Sequence, residues 1–236
     1  ELNAEGQAVD DAGRPGGAFV SPVAPQVAGV LQQLVAEMGT QYGFDGLALD
    51  YLRFSAGDFL GYASIDRQAF LAEHHMDALD IDPLGFATSS QEQDLLGTWQ
   101  ENQISALGES LASAFRRVAP QGKVAVTITP GYYRGRVRNP VRQDWQSWVT
   151  KGWVDMVIPQ GLVYTPQLQE NPFAALNLPA TVVNAPAVVP DFAARTGSAG
   201  SQVGALRRLG VGSYVLWAPV DYARRDQMLR DLVRGR

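Results

Sequence analysis

An α/β fold, with a parallel sheet covered by helices, is the class this sequence predicts, and three observations predict it. Helix-period and strand-period segments alternate along the chain, the pattern of strand–helix units rather than of a sandwich. Within the strand segments large apolar residues alternate with small ones. Leu47 and Leu49 alternate with Gly46, Ala48 and Asp50, and Val124, Val126 and Ile128 with Ala125, Thr127 and Thr129, which separates a helix-facing side from a side facing a barrel axis. Finally, the strand ending at Asp50 delivers a carboxylate at its C-terminal end, where a β/α barrel keeps its chemistry.

The elements follow in order. Val27, Val30, Leu31, Leu34, Val35 and Met38 recur at helical spacing behind Pro25, a residue suited to the first turn of a helix. The strand of Asp50 comes next. A helix over about Asp66 to Ala78 leads into a polar insertion, Asp80 to Gln93. A longer helix then carries Leu96, Trp99, Ile104, Leu107, Leu111 and Phe115 on one face, and Pro120-Gln121-Gly122 ends it. Val124 to Thr129 is a strand, Val141 to Thr150 a helix with Trp145, Trp148 and Val149, and Val154 to Pro159 a further strand. Thr181 to Asn184 and Ser213 to Trp217 read as the last two strands, with helical patterns at Val203 to Leu209 and Asp226 to Val233. The count is five strands, with no internal repeat or linker to suggest a second domain.

Composition narrows the function classes. The 236 residues, 46% hydrophobic and 18% charged, suit one globular domain with a substantial core. A net charge of -5 leaves no basic footprint, so nucleic acid and anionic membrane surfaces are not expected partners. The lack of cysteine removes disulfides, thiolate metal sites and thiol nucleophiles together. The most apolar stretch, Ala180 to Val189, is interrupted by Asn184 and Pro186 and is too short for a membrane span. The chain opens with Glu1 in a polar, glycine-rich stretch without a signal peptide, which reads as a processed or excised piece.

Several motifs are disfavoured. His74 and His75 are adjacent on a helix and point different ways, so they do not make an i, i+4 metal pair, and a solvent-facing role is expected for them. Gly13 to Gly17 lacks the lysine and the strand-to-helix setting of a phosphate loop. Ser21 and Ser213 lack a nucleophile-elbow frame. Arg207, Arg208, Arg224, Arg225 and Arg230 are expected on solvated helix faces. No metal and no cofactor is implied.

Asp50 is the catalytic candidate, because a charge at a buried strand end is costly unless it has a use or a partner. Arg53, three residues on, is either that partner, in an ion pair that orders the loop, or a ligand for substrate. Acid–base chemistry at such a cleft calls for a second carboxylate facing the first, and that one is open between Asp58, Glu170 and Asp221. Asp155 starts its strand at the N-terminal, stability face and is read as structural. Tyr132 and Arg134, Gln160 and Tyr164, and Trp217 fall at three different strand ends. There, rings offer apolar faces to sugar C–H groups while Arg and Gln supply directional hydrogen bonds. Taken singly, each of these aromatics could equally roof the core.

The run Asp45-Gly46-x-x-x-Asp50-Tyr51-x-Arg53-Phe54 resembles the stretch after the fourth strand in the bacterial glycosyl-hydrolase-like family ten barrels. Phe19-Val20-Ser21-Pro22 with Pro25-Gln26-Val27 is similar to that family's entry into the preceding helix. Ile81-Asp82-Pro83, Trp99 with Asn102-Gln103-Ile104, Thr127-Ile128-Thr129-Pro130 and Trp153 to Gln160 follow in the family's order. The match spans most of residues 18 to 164. It departs at Tyr51, where many relatives carry a second aspartate, at Gln100, where they carry arginine, and at Gly161 to Val163, which separate Gln160 from Tyr164.

The resemblance implies a TIM-type (β/α) barrel in which the strand of Asp50 is the fourth. Five strands would then form the C-terminal five-eighths of the eight, with three upstream of Glu1. An expressed piece of that kind would expose strand flanks and tend to aggregate. An open sheet or a small rearranged barrel is the alternative. For function the resemblance implies a glycoside hydrolase acting on a cell-envelope or extracellular polysaccharide containing amino sugars, located outside the cytoplasm. The alternative is a non-catalytic glycan-binding or structural barrel of the envelope. The oligomeric state is open.

Overall fold

A computed structural model of the chain describes residues 2, 6–8, 20–54, 61–81, 90–129, 141–159, 176–188, 198–216 and 222–234. It divides into two compact units, residues 1–124 with 131–153, and residues 125–130 with 154–236.

The first unit begins with α1, Pro25–Thr40, whose Pro25 occupies the first turn as the sequence predicts. The helix ends where Thr40 Oγ1 turns back onto the Ala36 carbonyl at 2.9 Å, and Gly43 then takes φ +61° to redirect the chain into β1, Gly46–Leu49. The β1 alternation is as expected, with Leu47 and Leu49 buried and Gly46, Ala48 and Asp50 exposed. The start of β2, Lys123–Ile128, lies against the start of β1, the Lys123 amide donating to the Asp45 carbonyl at 2.9 Å. A Cβ on Gly46 would stand 3.2 Å from the Lys123 carbonyl oxygen, which explains the glycine.

Of the six-residue stripe expected to bury α1, only Val35 is buried; Val30 and Leu34 are more than half exposed. The helix packs on α3, Ser90–Val118, so closely at Gly39 that a Cβ there would overlap the Val118 side chain.

Helix α3 serves two cores. Leu96 and Trp99, near its start, close a cluster with Tyr62, Phe70, Ala78 and Ile81. Phe70 comes from α2, Ser64–His74, and Ala78 from a 3-10 turn, Ala78–Asp80, so the helix expected to reach Ala78 breaks at His75, which adopts φ +57°. Asp77 is the reason the turn forms. Its carboxylate accepts from the Leu79 amide at 3.0 Å and from Arg67 Nε at 2.9 Å, which holds its pKa down to about 2. His74 departs from the solvent-facing expectation: its ring packs 4.7 Å from that of Phe70 and it is half-buried, while His75 is exposed. Further along α3, Gly108 lets Leu52 and Trp153 approach within 3 Å of where a Cβ would sit. Helix α4, Trp145–Thr150, is capped by the Asp144 side chain and buries Trp148, whose indole N–H donates to Ser105 Oγ at 2.7 Å.

Asp66 is a buried carboxyl on α2 that accepts the Ser21 hydroxyl at 2.5 Å. Burial raises its pKa from the ordinary 3.8, opposed by the Ser21 bond. The folded chain therefore keeps this proton at pH values where the unfolded chain has lost it. Its contribution to stability is full below the ordinary carboxylate range and declines as pH rises through the raised value. Asp66→Asn keeps an acceptor for Ser21 and is expected to flatten that decline. Urea midpoints of both proteins compared at mildly acidic and neutral pH check this; parallel pH profiles would refute it.

In the second unit β2 pairs in parallel with β3, Met156–Pro159, in the register Val126 to Val157 and Thr127 to Ile158. Strand β4, Val183–Asn184, continues the parallel order on β3, and Ala185 N donates to the Val157 carbonyl at 3.0 Å. The expected Thr181 to Asn184 strand is shorter than predicted, starting at Val183, and a separate strand β5, Ala187–Val188, pairs in parallel with β6, Val215–Leu216, in a second sheet. Pro186 interrupts the run because it has no amide to donate, yet its carbonyl accepts from Val215 at 3.1 Å. Helices α5, Ala199–Arg208, and α6, Tyr222–Arg234, pack on each other, and α5 buries Gln202, Val203 and Leu206. Parallel strands joined through helices make this an α/β fold of the TIM-type (β/α) barrel kind.

Candidate active site at the end of the first strand

The site is built where β1 ends. Asp50 leaves the strand exposed, and Tyr51 takes the left-handed conformation at φ +55°, uncommon for a residue with a bulky side chain. Two local bonds hold that turn: Asp50 Oδ1 accepts from the Tyr51 amide at 2.9 Å, and the Arg53 amide donates to the Tyr51 carbonyl at 2.8 Å. Arg53 folds back so that its guanidinium lies 4.9 Å above the Tyr51 ring, while Nη1 donates to the Phe54 carbonyl at 3.0 Å. It is 7% exposed, so its charge is largely withdrawn from water and shared with an aromatic face and a carbonyl.

Residues ahead of α4 clamp the same loop. Gln143 Nε2 donates to the Leu52 carbonyl at 3.1 Å, and the Phe54 amide donates to the Val141 carbonyl at 3.0 Å. Arg142, at φ +54°, sends Nε to Gln100 Oε1 at 2.8 Å. Thus the glutamine standing where relatives carry an arginine receives a guanidinium from another element. Beside it Glu101 has its pKa raised by burial; the Arg142 charge opposes this and the Asp144 charge adds to it.

Beneath the loop lies an open groove of about 650 Å³ between α1, β1 and α3, walled by residues 47–53 and by Leu31, Leu34, Ile104 and Leu107. Asp50 and Arg53 are the charged residues on its lining. The rest of the lining is apolar, and among the described residues Asp50, Tyr51 and Arg53 supply its polar side chains.

The structure brings together two of the sequence candidates, Asp50 and Arg53. Tyr132, Arg134, Gln160, Tyr164 and Trp217 lie outside the described residues, as do Asp58, Glu170 and Asp221. Sequence reasoning missed Glu101, Arg142 and Gln143. Their sole clue was position: Arg142 and Gln143 end the loop that follows β2, where a barrel gathers its functional groups, although they read as the start of a helix. Among the described residues no group of three or more His, Asp or Glu is placed to hold a metal ion, and no helix is long and apolar enough to cross a membrane.

Comparisons with known proteins fit this architecture. A crystal structure of bee venom hyaluronidase in complex with a hyaluronic acid tetramer is similar in fold, with a TM-score of 0.54 at 14% identity, over 97% of this chain and 82% of that one. No curated protein sequence matches the chain. The model of the family described as Glycosyl hydrolase-like 10 matches residues 7–190, which contain β1 with Asp50, the clamping segment ahead of α4 and the strands through β5, and the chain therefore belongs to the glycosyl hydrolase-like 10 family.

Proposed function

We propose that this protein is a glycoside hydrolase acting on a cell-envelope or extracellular polysaccharide that contains amino sugars, outside the cytoplasm, with Asp50 as one of two catalytic carboxylates. The observation that carries the reading is the exposed Asp50 carboxylate at the C-terminal end of a barrel strand, on a loop held by hydrogen bonds within residues 50–54 and with Val141 and Gln143. Such fixing costs conformational freedom, and a catalytic group needs it because misplacement by about 1 Å can cost a hundredfold in rate. Membership in a glycosyl hydrolase-like family and a fold shared with a hyaluronidase support the reaction class.

In this reading Arg53 orients the substrate or steadies the Asp50 loop, and Asp58, Glu170 or Asp221 supplies the second carboxylate. A reducing-sugar assay on hyaluronan, glycol chitin and peptidoglycan tests it directly. Product release that disappears in Asp50→Asn is expected; no release from any of these polymers would count against the enzyme.

One observation favours a second reading, a glycan-binding barrel without catalysis. Asp50 bonds its own neighbour's amide and Arg53 is spent on Tyr51 and Phe54, so both residues already have structural work. Either reading places Tyr132, Arg134, Gln160, Tyr164 and Trp217 at one glycan-contacting end of the barrel. Trp217→Ala and Tyr132→Ala should then each weaken glycan binding by about 1 kcal/mol through lost ring contact. Calorimetry against amino-sugar oligosaccharides measures this, and unchanged affinity in both variants would move the glycan elsewhere.

A further inference from the structure

At the other end of β1, Tyr42 and Phe44 stand side by side in water. Their rings stack at a centroid distance of 5.9 Å with planes 21° apart, and the residues are 63% and 48% exposed. Each ring covers one face of the other and leaves its outer face free. Single exposed aromatics are ordinary, but two that stack on each other brace their rings, so each outer face is a fixed apolar surface, which water solvates poorly.

The backbone beneath them is fixed on both sides. Behind Tyr42, the Gln41 amide closes α1 on the Glu37 carbonyl at 2.8 Å, and Gly39 holds that helix end against Val118. Gly43 makes the positive-φ turn that puts the two rings on one side, with open space where a Cβ would be. Ahead of Phe44, the Asp45 carbonyl accepts the Lys123 amide at 2.9 Å. Next to the pair is a shallow hollow of about 280 Å³ lined by Phe44, Asp45 and Gln121, whose exposed polar side chains can hydrogen-bond a hydroxylated ligand.

We propose that Tyr42 and Phe44 form a second carbohydrate-binding site, a stacking platform for the pyranose rings of a polysaccharide, at the end of β1 opposite Asp50. A pyranose has apolar C–H faces and an equatorial belt of hydroxyls. Parallel rings flanked by a carboxylate and an amide complement that shape. Little conformational entropy is lost on binding, because the platform is already in place. The rise of about 3.3 Å per strand residue sets Phe44 roughly 20 Å along the chain from Asp50, so the pair belongs to a separate site. It would hold a long chain to the protein without touching the scissile bond. The proposal rests on the reading of this protein as glycan-acting.

Affinity electrophoresis of the full chain in gels cast with hyaluronan or glycol chitin tests it. Wild type and Asp50→Asn should both be retarded, and Tyr42→Ala/Phe44→Ala should bind about tenfold more weakly, with its melting curve and its hydrolysis of short oligosaccharides unchanged. The single variant Tyr42→Ala, at the more exposed position, serves if the double variant melts early. Equal retardation of wild type and the platform variants, or no retardation of wild type by either polymer, overturns the site. So does a change of oligomeric state in sedimentation, which would show a second copy covering the rings. Retardation without any hydrolysis by wild type would remove the enzyme and leave the platform standing.

Discussion

Asp50→Asn is expected to lower glycan hydrolysis by about a hundredfold or more while leaving the unfolding midpoint close to that of the wild type. The two halves of this expectation have separate causes. Catalysis depends on charge or on a transferable proton, and an amide offers neither. Stability depends on what Asp50 holds in place, and its exposed carboxylate accepts the Tyr51 amide at Oδ1 within the local turn. An asparagine side chain keeps an oxygen for that bond and tolerates the turn that follows. Turnover on the polymer that the wild type cleaves, measured beside a urea denaturation curve, separates the causes. A variant with full turnover would make Asp50 a loop residue and favour the binding-barrel reading. A variant that loses both turnover and stability would show that the loop, rather than the carboxylate, is what the substitution removed.

How far the sequence carried depends on which residues one considers. The β1 alternation and the zero exposure of Val124, Val126 and Ile128 were legible because successive strand side chains point to opposite faces, so the buried face is written into side-chain size with a period of two. The register in which β3 meets β2 was not, since pairing depends on partners far away in the chain. The break between α2 and the 3-10 turn was also hidden. It arises from Asp77 joining Arg67 and Leu79, a contact between side chain, charge and backbone that periodicity does not record. The α1 stripe misled in the other direction. Its spacing correctly marks a helix, but spacing cannot say whether a neighbour covers each position, and Val30 and Leu34 line or flank an open groove.

At the site the same division holds. Asp50 and Arg53 were legible because they belong to one short run that sets charges at the end of an apolar strand, although Asp50 is exposed there and only Arg53 is buried. The clamp from Gln143 and Val141 was not, because it joins residues some ninety positions apart through backbone carbonyls. Backbone bonding leaves little trace in residue type. Glu101 carries no signal in the sequence, since the burial that raises its pKa, against the Arg142 charge and with that of Asp144, is set by the tertiary packing.

Trp148→Ala should produce the largest loss of stability among the substitutions considered, roughly 3 to 5 kcal/mol. The indole is fully buried, stacks at 5.2 Å on Trp153 and donates to Ser105, so truncation opens a large cavity and removes a hydrogen bond at once. Collapse into that cavity is restricted on the Trp153 side. There the ring and Leu52 already meet over Gly108, whose missing side chain is what admits them. If Trp153 does shift toward the hole, Leu52 loses its neighbour, and Leu52 is the residue whose carbonyl Gln143 clamps. The substitution should therefore also loosen residues 50–54, seen as faster amide exchange there than at Phe115, which is packed elsewhere on α3. Trp148→Phe keeps most of the volume and should cost less on both counts. Urea unfolding and hydrogen exchange measure the two effects together. A loss below about 1 kcal/mol for the alanine variant would mean that the two tryptophans cap the core instead of filling it.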